Sequence, residues 1–128
     1  MRLLIDTQIL LWAIYQPEKI PPAMRERLCD RGNDIFFSAV SIAEIAIKSS
    51  LRRPDFKFEA DEVAQAARDT AFLALPLDVQ HSIRLASLPW HHRDPFDRLL
   101  VAQAIEDGLR FVTADRLLAA YSDQVETF

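Results

Sequence analysis

Short apolar runs separated by longer helical patterns are the feature that most restricts how this chain can fold. The runs with the length and residue types of buried strands are RLLI (2–5), IFFSAV (35–40), FLALPL (72–77), RFVT (110–113) and VETF (125–128). Between them, apolar residues recur at helical spacing, as in ILLWAIY (9–15) and SIAEIAIKSSL (41–51). Because strands that alternate with helices pair in parallel, the pattern predicts an α/β protein: a three-layer α/β/α sandwich with a short, mostly parallel central sheet of four to five strands.

The remaining helical patterns complete this alternation. Helices are predicted at AMRERLCDR (23–31), at 60–71, at 78–88, at 95–107 and at RLLAAY (116–121). Gly32 and Gly108 are expected to end the helices that precede them, because glycine is favoured just past a helix C-terminus. No repeat, low-complexity tract or long linker interrupts the pattern, so residues 1–128 are predicted to form one domain.

Composition and charge exclude several classes of protein. Half of the 128 residues are hydrophobic, and no apolar run reaches the length of about 18 residues that a membrane span needs. We therefore expect a soluble, cytoplasmic protein with no membrane partner. Cys29 is the only cysteine, which excludes an intrachain disulfide and a cysteine-based metal site. The net charge of -4 argues against a generally basic nucleic-acid-binding surface but leaves nucleic acid open as a substrate.

Acidic residues stand at four places where predicted helices begin. Asp6 follows the first strand, Glu44 lies in the helix after the second strand, Asp97 lies in the helix at 95–107 and Asp115 follows the fourth strand. The carboxyl ends of parallel strands meet at one edge of a sheet, where ligands of α/β proteins bind. The predicted topology therefore gathers the four carboxylates into one acidic pocket.

Helix capping offers a simpler explanation for the segment HHRDPFDRLLVAQA (91–104). Asp94 has the position of an N-cap, Pro95 that of the first helical residue and Asp97 that of a first-turn carboxylate. However, Asp97 shares its helix face with apolar residues such as Leu100 and Ala104. A cap does not need an apolar face, so a buried role with a positive partner stays open beside capping.

Capping can explain the other acids in the same way. The residues from Ser41 to Glu44 match the capping-box pattern S-x-x-E. Simple N-caps can account for Asp6, Asp115, Thr7 and Thr113. What capping does not predict is that Glu44, like the acid in the long helix, lies among apolar residues. Acids directed toward the interior favour a shared site.

Carboxylates grouped in this way need a positive partner. Several carboxylates within about 4 to 6 Å of one another repel strongly unless a cation neutralises them. Oxygen ligands without cysteine favour Mg²⁺ or Mn²⁺ over zinc, and His91 and His92 are interpreted as loop residues rather than ligands. Such a metal suits phosphodiester hydrolysis. With only two glycines and no P-loop motif, a nucleotide-cradling loop is excluded.

Four segments resemble, in order, those of one protein family. LLIDTQILLWAI is similar to its opening strand with the first acid, SAVSIAEIAIKSSL to its glutamate-bearing helix, DPFDRLLVAQA to its third-acid segment and FVTAD to its fourth. The ordered set spans almost the whole chain and resembles the PIN-domain ribonucleases, more closely the VapC-type toxins of bacterial toxin-antitoxin pairs. Relatives often have His where this chain has Gln8 and Trp where it has Ala43.

The resemblance implies a metal-dependent endoribonuclease that inhibits translation. It implies that Mg²⁺ or Mn²⁺ is bound, and water activated, by four acids: Asp6, Glu44, Asp97 and Asp115. It gives Thr7 and Thr113 a supporting role and leaves Asp94 as a cap. It also implies a homodimer and a cognate antitoxin whose C-terminal segment covers the acidic pocket.

Basic residues near the acids are candidates for RNA binding. They are Lys48, Arg52, Arg53, Arg93, Arg98 and Arg116. Lysine and arginine hold nucleic-acid phosphates electrostatically, and solvated surface charge is the alternative for each of them. The apolar residues Leu11, Trp12 and Ile14 are expected to pack in the core, with contact to a partner protein as the alternative.

Two other functions are compatible with acids that follow strands of an α/β chain. A signalling receiver domain also has them, but it needs a lysine late in the chain, and no lysine follows Lys57. A catalytically inactive PIN-like interaction module would use the same acids only as helix caps. Metal titration separates the module from the enzyme, because an ion that binds only the native state raises its thermal stability.

Overall fold

Five parallel strands form one central sheet. A computed structural model describes all 128 residues, Met1–Phe128. The strands are β1 (Arg2–Ile5), β2 (Asp34–Ser38), β3 (Leu73–Leu75), β4 (Arg110–Thr113) and β5 (Val125–Thr127). Their order across the sheet is β3-β2-β1-β4-β5, and every neighbouring pair is parallel. The predicted fold class is therefore confirmed, with β1 at the centre of the sheet.

Six α-helices connect the strands. They are α1 (Thr7–Tyr15), α2 (Pro22–Cys29), α3 (Ala39–Ser50), α4 (Ala60–Asp69), α5 (Val79–Arg84) and α6 (Pro95–Asp107). Three short 3-10 helices lie at Pro17–Lys19, Leu85–Ser87 and Arg116–Tyr121. The helix predicted at 78–88 is thus divided between α5 and a 3-10 turn, and the one predicted at 116–121 is a 3-10 helix. None of the helices combines the length and apolar character needed to cross a membrane.

Two apolar clusters lie on opposite faces of the sheet, because alternate side chains of a strand point to opposite sides. Leu3 and Ile5 of β1 belong to a cluster of 15 buried residues that includes the buried apolar side chains of α1 and α4. Leu4 belongs to a second cluster of 11 buried residues, which includes the buried apolar side chains of α6. The central strand is therefore covered on both faces, so cavities next to the sheet lie at its two ends.

One predicted helix end is confirmed, and two other helix boundaries differ from the prediction. Gly108 ends α6 as predicted, with a positive φ of 66° that suits glycine. Gly32 does not end α2, which stops at Cys29; the Gly32 N–H instead donates a 2.8 Å hydrogen bond to the Asp30 carboxylate in the following turn. The helix of the predicted capping box begins earlier than expected, because Ser38 ends β2 and caps α3 by accepting a hydrogen bond from the Val40 N–H.

Candidate active site

The four acids predicted from the sequence line one cavity. Its volume is about 410 Å³, and it lies at the carboxyl edge of the sheet. The acids in its wall are Asp6, Glu44, Asp97 and Asp115, and Asp94 also lines it. They come from different elements: the loop after β1, the middle of α3, the first turn of α6 and the loop after β4. The parallel topology therefore brings together residues that are up to 109 positions apart in the sequence.

Asp6 is buried and held by two donors. One carboxylate oxygen accepts a 2.7 Å hydrogen bond from the Ile9 N–H, which makes Asp6 the N-cap of α1, and the other accepts from the Thr113 hydroxyl. The pKa of Asp6 is raised to about 6, mainly by burial and to a smaller extent by the charge of Glu44, while its hydrogen bonds act in the opposite direction. The carboxylate is thus both fixed in orientation and short of compensating positive charge.

Glu44 is buried in the middle of α3 and is not part of a capping box. Its Oε1 lies 2.8 Å from the Thr7 hydroxyl, which lies 2.8 Å from the Ser41 hydroxyl. Since the Glu44 carboxylate can only accept, Thr7 donates its single proton to Glu44 and accepts from Ser41. The other Glu44 oxygen accepts from the Lys48 ammonium at 2.6 Å. The capping alternative for Ser41 and Glu44 is therefore wrong: Glu44 lines the cavity, and Ser41 is buried against Thr7.

Asp97 extends into the cavity, while its neighbour Asp94 caps the helix. The Asp94 carboxylate accepts hydrogen bonds from the Phe96 and Asp97 N–H groups at 2.8 and 3.2 Å, as the capping prediction required. The pKa of Asp97 is raised to about 7, first by burial and then by the charges of Asp94, Asp6 and Glu44. Both burial and the neighbouring negative charges therefore favour the protonated form of Asp97.

His92 lies beside two of these acids, a contact that sequence reasoning missed. Its Nε2 lies 2.8 Å from Asp115 Oδ2 and 3.8 Å from Asp97 Oδ2. One ligand atom from each of these residues lies within 4.8 Å of the others, close enough to share an ion. His92 is a loop residue, as predicted, but the loop leads directly into the DPFD segment. That adjacency was the available sign that one of the two histidines contacts the acids.

Comparison with known proteins identifies the family of the chain. The family model of the PIN domain matches residues 3–124. The chain belongs to the PIN domain family. The family resemblance noted in the sequence is therefore confirmed. PIN domains are generally nucleases that use divalent metal ions. No curated protein sequence matches the chain.

Solved structures of low sequence identity share the fold of this PIN domain. VapBC2 from Rickettsia felis, bound to a promoter DNA fragment, has a TM-score of 0.72 and 15% identity, covering 99% of this chain and 98% of the other. DNA-bound VapBC from Salmonella typhimurium has a TM-score of 0.72 and 16% identity with the same coverage. VapBC-5 from Mycobacterium tuberculosis has a TM-score of 0.62 and 19% identity, covering 99% and 97%.

The donor set of this PIN domain fits a divalent cation. Five carboxylates and one lysine line the cavity, so negative charge is in excess. The pKa values of Asp6 and Asp97 are raised partly by neighbouring carboxylates, and a cation among them would remove that repulsion. Hard oxygen donors of this kind suit Mg²⁺ or Mn²⁺. The chemistry of the residues present therefore agrees with the metal use that is general in the family.

The predicted RNA-binding residues are exposed, with one exception. The exposed residues are Lys48, which also lines the cavity, Arg52, Arg53, Arg93 and Arg116. Arg98 is buried, which corrects its prediction as an RNA contact. Its guanidinium donates to the Leu88 carbonyl at 3.0 Å and lies 3.8 Å from the centre of the Trp90 ring, so it supports the loop before α6. A helix face that a loop covers cannot present a cation to RNA.

A larger cavity lies near the opposite edge of the PIN-domain sheet. Its volume is about 640 Å³, and it includes Ile35 and Leu73 near the beginnings of β2 and β3. Its charged lining residues are of both signs: Arg25, Arg31, Asp30, Asp34 and Asp69. It has no comparable excess of one charge, so the smaller acidic cavity is the candidate active site. Of the apolar residues considered as partner contacts, Leu11 is buried, and Trp12 and Ile14 pack against the core.

Proposed function

We propose that this PIN domain is a Mg²⁺- or Mn²⁺-dependent endoribonuclease that hydrolyses RNA phosphodiester bonds in the cytoplasm. The observation that carries the proposal is the convergence of four carboxylates, from four separate elements, on one cavity. Capping accounts for an acid at a helix start, but it does not require several such acids to meet. Asp97 in particular is left free for another role, because Asp94 caps α6.

The four acids would hold the metal ion: Asp6, Glu44, Asp97 and Asp115. When bound, Mg²⁺ or Mn²⁺ lowers the pKa of water and offsets negative charge on the phosphoryl group. The chain's own residues keep the carboxylates in place, with Thr113 donating to Asp6 and Thr7 to Glu44. Because hydrolysis does not require attack by the 2'-hydroxyl, the products are expected to have 3'-hydroxyl and 5'-phosphate ends.

Exposed basic residues near the acids would hold the RNA backbone. Lys48 lies in the wall of the cavity and Arg93 in the loop before α6, while Arg52 follows α3 and Arg116 follows Asp115. Contacts of this kind position a phosphate chain without reading its sequence. The local basic residues reconcile RNA binding with a net charge of -4.

The structural neighbours support a more specific biological role. VapBC-5 is described as a member of the VapBC family of toxin-antitoxin systems. We propose that this chain is the toxin of such a pair, forms a homodimer and is neutralised by a cognate antitoxin. Its expression in bacterial cells is expected to reduce incorporation of labelled amino acids into protein, whereas expression of Asp97→Asn is expected not to. Unchanged incorporation with both proteins would argue against the toxin role.

The nuclease activity is tested with purified protein, defined RNA and matched DNA. The wild type with Mn²⁺ is expected to cut RNA and leave 5'-phosphate ends, which enzymatic end-labelling detects. Asp97→Asn is expected to fold normally and lose cleavage. Asp61→Asn is the matched control, because Asp61 is exposed in α4 and does not line the cavity. Equal cleavage by the wild type and Asp97→Asn would contradict the proposal.

A catalytically inactive interaction module is the second candidate. Asp6 and Asp115 favour this candidate because both act as ordinary helix caps. Their carboxylates accept hydrogen bonds from backbone N–H groups in the first turn of the following helix, those of Ile9 and Leu117. Metal titration distinguishes the two candidates. A metal centre that is filled at a hundredfold excess over its Kd stabilises the native state by about 2.7 kcal/mol. Mn²⁺ is therefore expected to raise the Tm of the wild type but not of Asp97→Asn, and no rise together with no cleavage would support the module.

A further inference from the structure

His92 is attached at three points to the segments that carry the acids. Its Nε2 lies 2.8 Å from Asp115 Oδ2, and its Nδ1 lies 3.1 Å from the Asp94 backbone nitrogen. Its own N–H donates to the Tyr121 hydroxyl at 2.9 Å. Tyr121 ends the 3-10 helix that Asp115 caps. His92 therefore connects the loop before α6 with the segment after β4.

The contact with Asp94 identifies the nitrogen of His92 that has the proton. A backbone N–H can only donate, so the His92 Nδ1 that faces it must be the acceptor. A neutral imidazole whose Nδ1 accepts has its proton on Nε2. The contact between His92 and Asp115 is therefore a hydrogen bond in which Nε2–H donates to the carboxylate.

This proton assignment separates two roles that the distances alone allow. A neutral histidine that binds a metal through Nε2 has its proton on Nδ1. In His92 that Nδ1–H would face the Asp94 N–H, so two donors would meet with no acceptor between them. We propose that His92 is a positioning residue that holds Asp115 by hydrogen bonding and is not itself a metal ligand. The inference rests on the proposed metal-dependent function and specifies how Asp115 is held in the acidic cavity.

Asp115 is held on both oxygens as a result. Its Oδ1 accepts from the Leu117 N–H at 3.0 Å and its Oδ2 accepts from His92. Each carboxylate oxygen retains a free lone pair for an ion or for water. Partners that orient a ligand in this way generally change metal affinity or activity about 10- to 100-fold when they are removed. His92 is expected to have an effect of this size although it does not touch the ion.

The first test measures metal affinity by calorimetry with Mn²⁺ and Ni²⁺. His92→Ala is expected to lower the affinity for both ions by the same factor, about 10- to 100-fold. His92→Gln keeps an N–H donor at the position of Nε2 and is expected to retain most of the affinity. His91→Ala is the matched control, since His91 packs edge-on against Tyr121 and contacts none of the acids. Wild-type affinity in His92→Ala would overturn the inference, as would a much larger loss for Ni²⁺, because imidazole ligands favour Ni²⁺.

The second test reads the tautomer of His92 directly. Nitrogen NMR of the imidazole rings, assigned with His92→Gln, is expected to show an Nε2–H tautomer in metal-free protein and the same tautomer with Mg²⁺. An Nδ1–H tautomer in metal-free protein, or a shift of the proton from Nε2 to Nδ1 when Mg²⁺ is added, would overturn the positioning role. Wild-type protein that binds Mn²⁺ but cleaves no RNA would overturn the proposed function while the affinity and NMR results still decide the role of His92. Wild-type protein that binds no Mn²⁺ would overturn both.

Discussion

The two halves of the acidic cavity are built differently. Asp6 and Glu44 are only 5% and 6% exposed, and their supporting hydroxyls come from Thr113 at the end of β4 and Thr7 at the start of α1. The side chains of Asp97 and Asp115 are 22% and 36% exposed. Their partners come from the loop before α6 and from the segment after β4. The first half is part of the core, whereas the second half depends on irregular segments.

This difference indicates how stability and function are divided in the cavity. Changes in the buried half disturb hydrogen bonds that cannot be replaced by water, so they affect folding as well as the site. Changes in the exposed half leave groups that water can reach, so they affect mainly the geometry of the site. The largest consequences for catalysis and for stability are therefore both expected at Asp6 and its partners.

The strongest test of this difference compares the cleavage activities of Asp6→Asn and Asp115→Asn. A metal centre contributes several kcal/mol to a phosphoryl transfer, so Asp6→Asn is expected to reduce kcat/KM about 10³-fold. Asp115→Asn is expected to reduce it only about 10- to 100-fold, because both Asp115 oxygens already accept hydrogen bonds. Initial rates on one RNA substrate measure both values, and circular dichroism verifies folding. Equal losses would show that the halves contribute alike.

The next test removes a single hydroxyl from the buried half. Thr113 is fully buried; its Oγ1 donates to Asp6 and accepts from the Asp115 N–H at 3.0 Å. Thr113→Val keeps the size of the side chain but leaves both groups without this partner, so the free energy of unfolding is expected to fall by about 1 to 3 kcal/mol. Thr70→Val is the control. Because Thr70 is exposed, this substitution is expected to lower the free energy of unfolding by at most about 0.5 kcal/mol. Urea denaturation measures both, and similar values would contradict a rigid buried half.

The pH dependence of stability tests the charge on Asp97. Its pKa is raised to about 7 in the native state, so between about 4 and 7 the native state binds more protons than the unfolded chain. The stability that this group contributes is present below its unfolded pKa and is lost as pH rises through the native value. In metal-free protein, the wild type is expected to lose stability relative to Asp97→Asn over this range. A pH-independent difference between the two unfolding free energies would argue against the raised pKa.

The fold was predictable because its strands are short, apolar and separated by helices. RLLI and RFVT are both strands with the expected bounds, and their parallel pairing brings Asp6 and Asp115 to one edge. The meeting of acids was predictable for the same reason, since topology alone determines which strand ends are neighbours. The sequence also showed that Asp97 shares a helix face with apolar residues, which is why it points inward.

Contacts made by irregular segments could not be predicted in this way. The capping-box pattern at Ser41 and Glu44 was misleading because β2 ends at Ser38, and no local rule identified that end. The positions of His92 and Arg98 depend on how the loop before α6 folds over the helix. That path is determined by tertiary contacts such as the one between Tyr121 and His92. No periodic pattern in the sequence reports such contacts.

The smallest effect is expected where the buried half meets solvent, at Lys48. Its ammonium contacts the buried Glu44, yet the Lys48 side chain is 49% exposed, so solvent screens the pair. Lys48→Met is therefore expected to lower the free energy of unfolding by only about 0.5 kcal/mol in metal-free protein, close to the value for an exposed helical ion pair. The control is Lys57→Met, in an exposed loop position. A loss of about 3 kcal/mol or more would mean that Lys48 and Glu44 behave as a buried pair, with Lys48 as the main compensation for the Glu44 charge. Saturating Mn²⁺ should remove the loss if the ion takes over that compensation.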